Sequence, residues 1–316
     1  DFASYWSHRL NHKINIFWNQ HIIHHSSEEF NLACALRQSV SNIIGYNALF
    51  LIPAAILGVP SEIIIFLSPI HLFGQFWYHT QHIGKLGFLE YIFVTPSQHR
   101  VHHAINPIYI DKNLSAIFCI WDRIFGTFQE ELDNVKPIYG TLKPVQTWNP
   151  IIINFQHFFR LAKDSWHTKK ISDKIKIWFM PTGWRPKDVE NVIKYKTQSK
   201  NQEKYYPNYT NLFKLVGVFH FLCVNTILTY FLYNFSDLQI NIKLIYTLII
   251  FLSVFGYSSL MDKYSWAPFF EVFRSLLSLY LINSIGEITS FKLFLYIYLF
   301  TSITISFLIL KKEGSI

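Results

Sequence analysis

The sequence predicts an all-α fold: a polytopic membrane helical bundle that carries a histidine-rich site for two metal ions. Three observations predict it. Of the 316 residues, 51% are hydrophobic and only 15% charged, where soluble domains carry about a quarter. The C-terminal third holds long apolar runs at 212–233, 242–260 and 291–310, each close to the roughly 20 residues that a helical crossing needs. Histidines recur at helical spacing: His8 and His12, then His21, His24 and His25, then His99, His102 and His103.

The net charge of +8 is unevenly spread, because residues 136–204 hold 14 Lys or Arg against 5 Asp or Glu. Beside membrane spans, a basic segment of this kind marks the cytoplasmic side and anionic headgroups, and it speaks against a nucleic-acid partner. Trp148, Trp166, Trp178 and Trp184 are scattered among these lysines. The segment therefore reads either as an amphipathic stretch lying in the membrane interface or as a solvated subdomain. Cys34, Cys119 and Cys223 are too far apart for a disulfide framework or a zinc ribbon and read as buried apolar residues. The chain shows no signal-peptide pattern. It begins at Asp1, so it reads as a fragment or a processed product.

In chain order, residues 1–40 lack Gly and Pro and read as helical. Two apolar arms follow, 43–58 and 63–77, joined by a turn at Val59-Pro60-Ser61. Each is short for a full crossing. They fit a tight hairpin that enters and returns, or two ordinary core helices. Pro60 at the tip and histidines at both feet favour the hairpin, which would put His25 and His79 on one side. Residues 84–128 mix short helices with irregular chain, with a turn at Asn106-Pro107.

Beyond the basic segment come the three long runs and a weaker fourth at 266–282, interrupted by Glu271 and Arg274 at i, i+3, where they can pair. Four crossings would put the basic segment, Lys263 and Lys311-Lys312 on one side, with Asp237 and Glu287 on the other, in line with the positive-inside rule. Three segments result: a histidine domain at 1–131 with its membrane hairpin at 43–79, a basic interfacial segment at 132–210, and transmembrane helices at 211–316.

Residues three and four apart share a helix face. Three such histidine faces converging supply more imidazoles than one tetrahedral metal uses. Two metal ions, with His79 completing the shell, use nearly all of them. Without a metal the cluster would be costly, since any protonated ring would repel its neighbours. The absence of H-E-x-x-H speaks against a zinc metalloprotease, and the absence of Glu-x-x-His against a soluble di-iron bundle. Imidazole alone suits iron, zinc and copper equally.

The surrounding residues resemble a known family. His8-Arg9-x-x-His12, His21-x-x-His24-His25-Ser26-Ser27-Glu28, Asn31-Leu32 and Ala35-Leu36-Arg37-Gln38-Ser39 are similar to the fatty acid hydroxylase (sterol desaturase) superfamily, and within it to the alkylglycerol monooxygenase branch. Gln75-Phe76-Trp77 before His79-Thr80, Thr95-Pro96-Ser97-x-His99-Arg100-Val101-His102-His103, Asp111-Lys112-Asn113 and Trp121-Asp122-Arg123-Ile124-Phe125-Gly126-Thr127-Phe128 extend the resemblance over residues 1–131.

The resemblance implies an integral membrane oxygenase with two irons at a cytoplasmic membrane face, in the bacterial inner membrane or the endoplasmic reticulum. Its iron ligands would be His8, His12, His21, His24, His25, His79, His99, His102 and His103. It implies a lipid substrate entering from the bilayer, hydroxylated, desaturated or cleaved at an alkylglycerol ether with O2. Electrons would come from tetrahydrobiopterin or another external donor. No dinucleotide-binding glycine loop is present, so a separate protein would supply the reductant. Glu28, Asp111 and Asp122 are candidates to orient ligand histidines, with ordinary salt bridges as the plainer account of the two aspartates. His82 falls outside the matching positions, His71 reads as a hairpin histidine, and His157, His167 and His220 need only surface or interface roles.

Two features depart from the pattern. Lys13 stands where that branch usually has an acidic residue, and no membrane helix precedes the first histidine pair, so the domain reads as N-terminally truncated. They motivate a second reading: a catalytically silent relative that keeps the metal cage as a membrane structural or lipid-binding protein.

Overall fold

The computed structural model describes residues 1–195, 197, 204–283 and 290–313; Glu287 lies outside them. The protein is all-helical, with 64% helix and no strand among the described residues. The chain divides into two compact units: residues 1–145 with 154–204, and residues 146–153 with 205–316.

The first unit opens with α1 (Phe2–Lys13) and α2 (Asn15–His25). Neither Gly nor Pro separates them. The break is Ile14, extended at φ −124°, ψ 126° and bridged to Pro181. Asn15 N–H donates to the Met180 carbonyl at 3.1 Å and Thr182 N–H to the Lys13 carbonyl at 3.2 Å. A distant segment thus imposes the kink, which local sequence does not signal. The expected continuous helix over 1–40 accordingly breaks there and again beyond His25.

The first apolar arm is three short pieces, Val40–Ile44, Tyr46–Leu51 and Ile52–Ile56, interrupted by Gly45 at φ +65°. The second arm is one helix, α3 (Ser61–Trp77). Both arms leave their side chains bare: none of α3 is buried, and Ile43, Ile56 and Leu57 are among the most exposed apolar residues. Apolar side chains left exposed in this way are what a lipid-facing element presents.

The short helix α4 (Pro96–His103) is buried along its whole length. Pro96 occupies the first turn, where a missing N–H costs nothing, and the Thr95 hydroxyl caps it by accepting from Gln98 N–H at 3.4 Å. Arg100 anchors it by donating to Glu131 at 2.7 Å and to the Thr80 and Ile83 carbonyls at 3.0 and 2.8 Å.

In the basic segment, α5 (Pro150–His167) and α6 (Ile171–Phe179) are amphipathic. Phe155, Phe159 and Trp166, with Ile171, Ile175 and Phe179, are exposed. His157 is buried, its Nε2–H donating to the Asn15 carbonyl at 2.8 Å. Of the surface or interface roles expected for it, burial removes the surface one.

The second unit is built on α7 (Asn211–Tyr233), α8 (Ile240–Met261), α9 (Ala267–Asn283) and α10 (Ser290–Glu313). Among the described residues, three helices are long and apolar enough to cross a membrane: Asn211–Tyr233, Ile240–Met261 and Phe291–Ile309. At 23 residues the first extends about 34 Å, against a hydrocarbon core of about 30 Å. The fourth expected crossing, α9, is only 17 residues long and does not qualify. Ile227, Ile249, Leu295 and Leu299 form the centre of the packing.

Inside the same unit, Arg274 and Glu271 are fully buried and paired at 2.8 and 3.0 Å. Ser253 accepts from Arg274 at 3.0 Å, and Ser302 bridges both charges at 2.8 Å. Gly256 makes the room, since a Cβ there would collide with the Glu271 carboxylate. His220 is likewise buried, against Tyr298 at 3.2 Å, which leaves the interface role of the two expected for it.

Removing one partner of a buried pair leaves an uncompensated charge and costs about 3–5 kcal/mol. Arg274→Leu should therefore lower the unfolding temperature sharply in detergent. The double variant Glu271→Leu/Arg274→Leu should recover most of that loss. A single variant that melts like the parent would contradict this account.

Candidate metal centre

The nine histidines singled out by the sequence all come together in the first unit, in two groups. His8, His12, His21, His25 and His102 form one, and His24, His79, His99 and His103 the other, with the nitrogens of each within 4.8 Å of one another. Helix geometry explains the partition. At about 100° per residue, i and i+4 diverge by about 40°, while i+3 falls about 60° to the other side. His21 and His25 therefore stay together and His24 leaves for the second group. On α4 the same rule keeps His99 with His103 and sends His102 to the first. Each H-x-x-H-H motif thus serves both groups, which touch: the His25 and His103 rings lie 4.3 Å apart and the His99 and His102 rings 5.2 Å.

The nitrogen positions test whether a metal fits. His21 Nε2 lies 2.8 Å from His8 Nε2 and 3.0 Å from His25 Nε2. His99 Nε2 lies 2.8 Å from His79 Nε2 and 3.0 Å from His103 Nε2, and His79 Nε2 is also 3.2 Å from His24 Nε2. One ring nitrogen carries either one proton or one lone pair, so it cannot satisfy two such neighbours. A cation in their midst satisfies all of them. With metal–nitrogen bonds of about 2.1 Å, adjacent ligands at right angles would stand about 3.0 Å apart, which is the spacing found.

The outer nitrogens agree. Nδ1–H of His8 donates to the Leu114 carbonyl at 2.7 Å, that of His79 to Gln75 at 2.8 Å, and that of His102 to Lys112 at 3.0 Å. This fixes the tautomer that leaves Nε2 with its lone pair, as metal-bound histidines require. His12 Nε2 and His102 Nε2 are buried with no partner among the described residues. The residues fit a metal in each group.

Burial, reinforced by the neighbouring rings, holds eight of the imidazoles neutral: His8 is pushed down to about 3 and His79, by burial, to about 4. His21, His24, His25, His99, His102 and His103 are all well below their ordinary value for the same first cause. Aromatic rings complete the dry shell. Trp18 packs on His12 at 5.0 Å, Phe30 on His103 at 5.2 Å, and Tyr78 on His99 at 4.2 Å.

The loop behind α4 supplies what the histidines lean on. Asp111 and Asn113 adopt φ of 58° and 53°, a conformation Asn and Asp tolerate better than other side chains. The Asn113 amide donates to the Gln98 and Gln129 carbonyls at 3.0 and 2.7 Å. Asp122 accepts from Leu114 N–H at 2.7 Å, Ser115 N–H at 2.9 Å and the Thr127 hydroxyl at 2.6 Å. It therefore positions the loop whose carbonyl holds His8, rather than touching a histidine itself.

Asp111 does touch one: Oδ1 lies 3.3 Å from His12 Nδ1 and Oδ2 2.7 Å from Lys13 Nζ. Burial works to raise this carboxyl, yet His12 and Lys13 hold it at about 2. Lys13 thus points its charge into Asp111. His82 is exposed, and His71 sits on α3 against Asp1 at 3.3 Å. The backbone carbonyls of Gln75, Lys112 and Leu114 were missed by residue-type reasoning, which has no signal for them. The Asp111-Lys112-Asn113 motif marked the place only indirectly.

Fold and site together define a helical integral membrane protein with a cage of nine imidazoles, six of them buried. Residues 1–127 match the fatty acid hydroxylase family model. It is 45% identical to the human alkylglycerol monooxygenase over 187 residues, 59% of this chain and 41% of that protein. It is 36% identical to the Xenopus tropicalis alkylglycerol monooxygenase over 283 residues, 89% of this chain and 63% of that one. An ornithine lipid hydroxylase of Rhizobium tropici is 30% identical over 128 residues, 40% of this chain and 39% of that protein. The chain therefore spans less than two thirds of the length of these relatives. No solved structure matches it.

The lowered histidine values set a pH dependence. Unfolded, these imidazoles titrate near 6.5; folded, His79 stays neutral to about 4 and His8 to about 3, so the unfolded chain takes up protons first. The resulting stability is full above about 6.5 and is lost as the pH falls toward the folded values, by up to about 1.4 kcal/mol per pH unit for each histidine. Metal-stripped protein should show a melting temperature that drops steeply between pH 7 and 5. A flat profile across that range would contradict burial of neutral rings.

Proposed function

We propose that this chain is a membrane-bound, iron-dependent oxygenase that oxidises a C–H bond of a lipid. The observation that carries the proposal is the arrangement of nine imidazoles in two groups, seven of them with an inner nitrogen 2.8–3.2 Å from another's, in a segment that matches the fatty acid hydroxylase family model. His8, His12, His21, His25 and His102 would hold one ion, and His24, His79, His99 and His103 the other. Iron bound there would supply the redox chemistry for splitting O2, with two electrons from the substrate C–H bond and two from an external donor, yielding hydroxylated lipid and water. Tetrahydrobiopterin, another reduced pterin or a separate electron-transfer protein would serve as donor. The names of the relatives favour hydroxylation or alkylglycerol ether cleavage over desaturation.

The chain's own residues contribute in three ways. The carbonyls of Leu114, Gln75 and Lys112 orient the rings. Trp18, Phe30 and Tyr78 keep water from the buried nitrogens. Asp111 adds one negative charge against His12, strengthening it as a donor ligand. The surplus of lysines around the basic segment supports a cytoplasmic face for the site.

The alternative, a silent relative that keeps the cage for structure, draws on Lys13. Its ammonium is taken up by Asp111 at 2.7 Å, which removes the electrostatic objection to activity.

Purified protein should contain close to two irons per chain. His102→Ala and His24→Ala should each lose about one ion, from different groups, and both should abolish lipid oxidation. Protein with no transition metal near two per chain would end the proposal. Metal at full occupancy with an unchanged cellular lipid profile on gene removal would favour the silent relative.

A further inference from the structure

A cavity of about 200 Å³ in the first unit borders His12, His25, His102 and His103 on one side. Its wall includes apolar Trp18, Ile22, Leu161 and Trp184 and the cations Lys143, Arg160 and Arg185. Two carboxylates also line it, and both are committed. Asp111 pairs with Lys13. Asp164 is buried and held bidentately by Arg185 at 2.5 and 2.9 Å, with the Tyr195 hydroxyl donating to it at 3.0 Å.

Lys143 and Arg160 are left over. Arg160 reaches only the Lys143 and Pro144 carbonyls at 3.4 Å, long for hydrogen bonds. The Lys143 ammonium has no hydrogen bond or ion pair among the described residues, only the Tyr195 ring at 5.4 Å. Arg160 and Arg185 face the same ring at 5.5 and 4.4 Å. Three cations around one aromatic ring outnumber the carboxylates that act on them, Asp164 and Glu190, and repel one another. Burial and the nearby guanidiniums of Arg185 and Arg160 accordingly push the Lys143 ammonium below its ordinary pKa. Half-buried like charges are tolerated when something of opposite sign joins them.

We propose that Lys143 and Arg160, backed by Arg185, form a binding site for a phosphate-type oxyanion, carried on a lipid headgroup or free in solution, in the cavity that also borders the five-histidine group. The guanidinium offers a planar fork and the ammonium a mobile point charge, a combination suited to a tetrahedral dianion. The apolar wall gives an attached chain somewhere to lie. Only the identification of such a headgroup as the substrate's rests on the proposed oxygenase; anion binding does not.

The test is isothermal titration of the full chain in detergent with three probes: inorganic phosphate, hexyl phosphate, and uncharged 1-O-hexylglycerol. If the anion comes from a lipid headgroup, hexyl phosphate binds more tightly than either of the others. Lys143→Met and Arg160→Met then each weaken it by about tenfold, the loss of one charge-assisted contact. Lys143→Arg retains it, and melting temperatures confirm that the variants fold. If the source is a free anion, inorganic phosphate matches hexyl phosphate and shows the same dependence on Lys143. Equal binding of hexyl phosphate by the parent and both Met variants, or no binding of either phosphate, overturns the site. Iron content and lipid oxidation on the same samples report separately on the oxygenase. A metal-free, inactive protein with charge-dependent binding defeats that reading and leaves this one standing.

Discussion

Nine imidazoles in two groups, seven of them with an inner nitrogen 2.8–3.2 Å from another's, set the terms for the first unit. Two lone pairs cannot face each other at that distance without a proton or a cation between them. A chain of shared protons could satisfy isolated pairs. It cannot satisfy His21, His79 or His99, whose Nε2 atoms each face two others. The low dielectric of the interior makes the mismatch more costly. The cage is therefore the least self-sufficient part of the molecule, and the chain around it is arranged to bear that cost.

That support comes in layers. Backbone carbonyls take the outer Nδ1–H groups of His8, His79 and His102, so their inner nitrogens present lone pairs. Those carbonyls are themselves placed by side chains that never meet a histidine. Asp122 fixes Leu114 and Ser115, and Asn113 ties its own loop to Gln98 and Gln129. Arg100 gives its whole guanidinium to anchoring α4. It stands between histidines in sequence, yet its charge is spent on Glu131.

Much of this was legible in the sequence, and the rest was hidden for identifiable reasons. The i, i+3, i+4 spacing announced which histidines share faces, and the apolar runs of α7, α8 and α10 announced themselves by length. The break at Ile14 was invisible because residues 180–182, far along the chain, impose it. The burial of His157 and His220 was missed because a lone histidine carries no periodic signal. Lys13 looked like a misplaced charge because its partner Asp111 lies 98 positions away. The basic segment read as a surface feature from its composition. Three of its cations in fact converge on Tyr195, a contact that no local pattern encodes.

The partition of each H-x-x-H-H motif has a consequence for how the two groups relate. Had α2 served one group and α4 the other, each could loosen alone. Because His24 and His25 are neighbours on one backbone yet face different groups, any rotation of α2 that improves one group's geometry spoils the other's. The same holds for His102 and His103 on α4. Two rigid helices, each tied to both groups, leave the pair of sites with one shared geometry rather than two independent ones. Fixed spacing of that kind is what a reaction needing two centres at once would require.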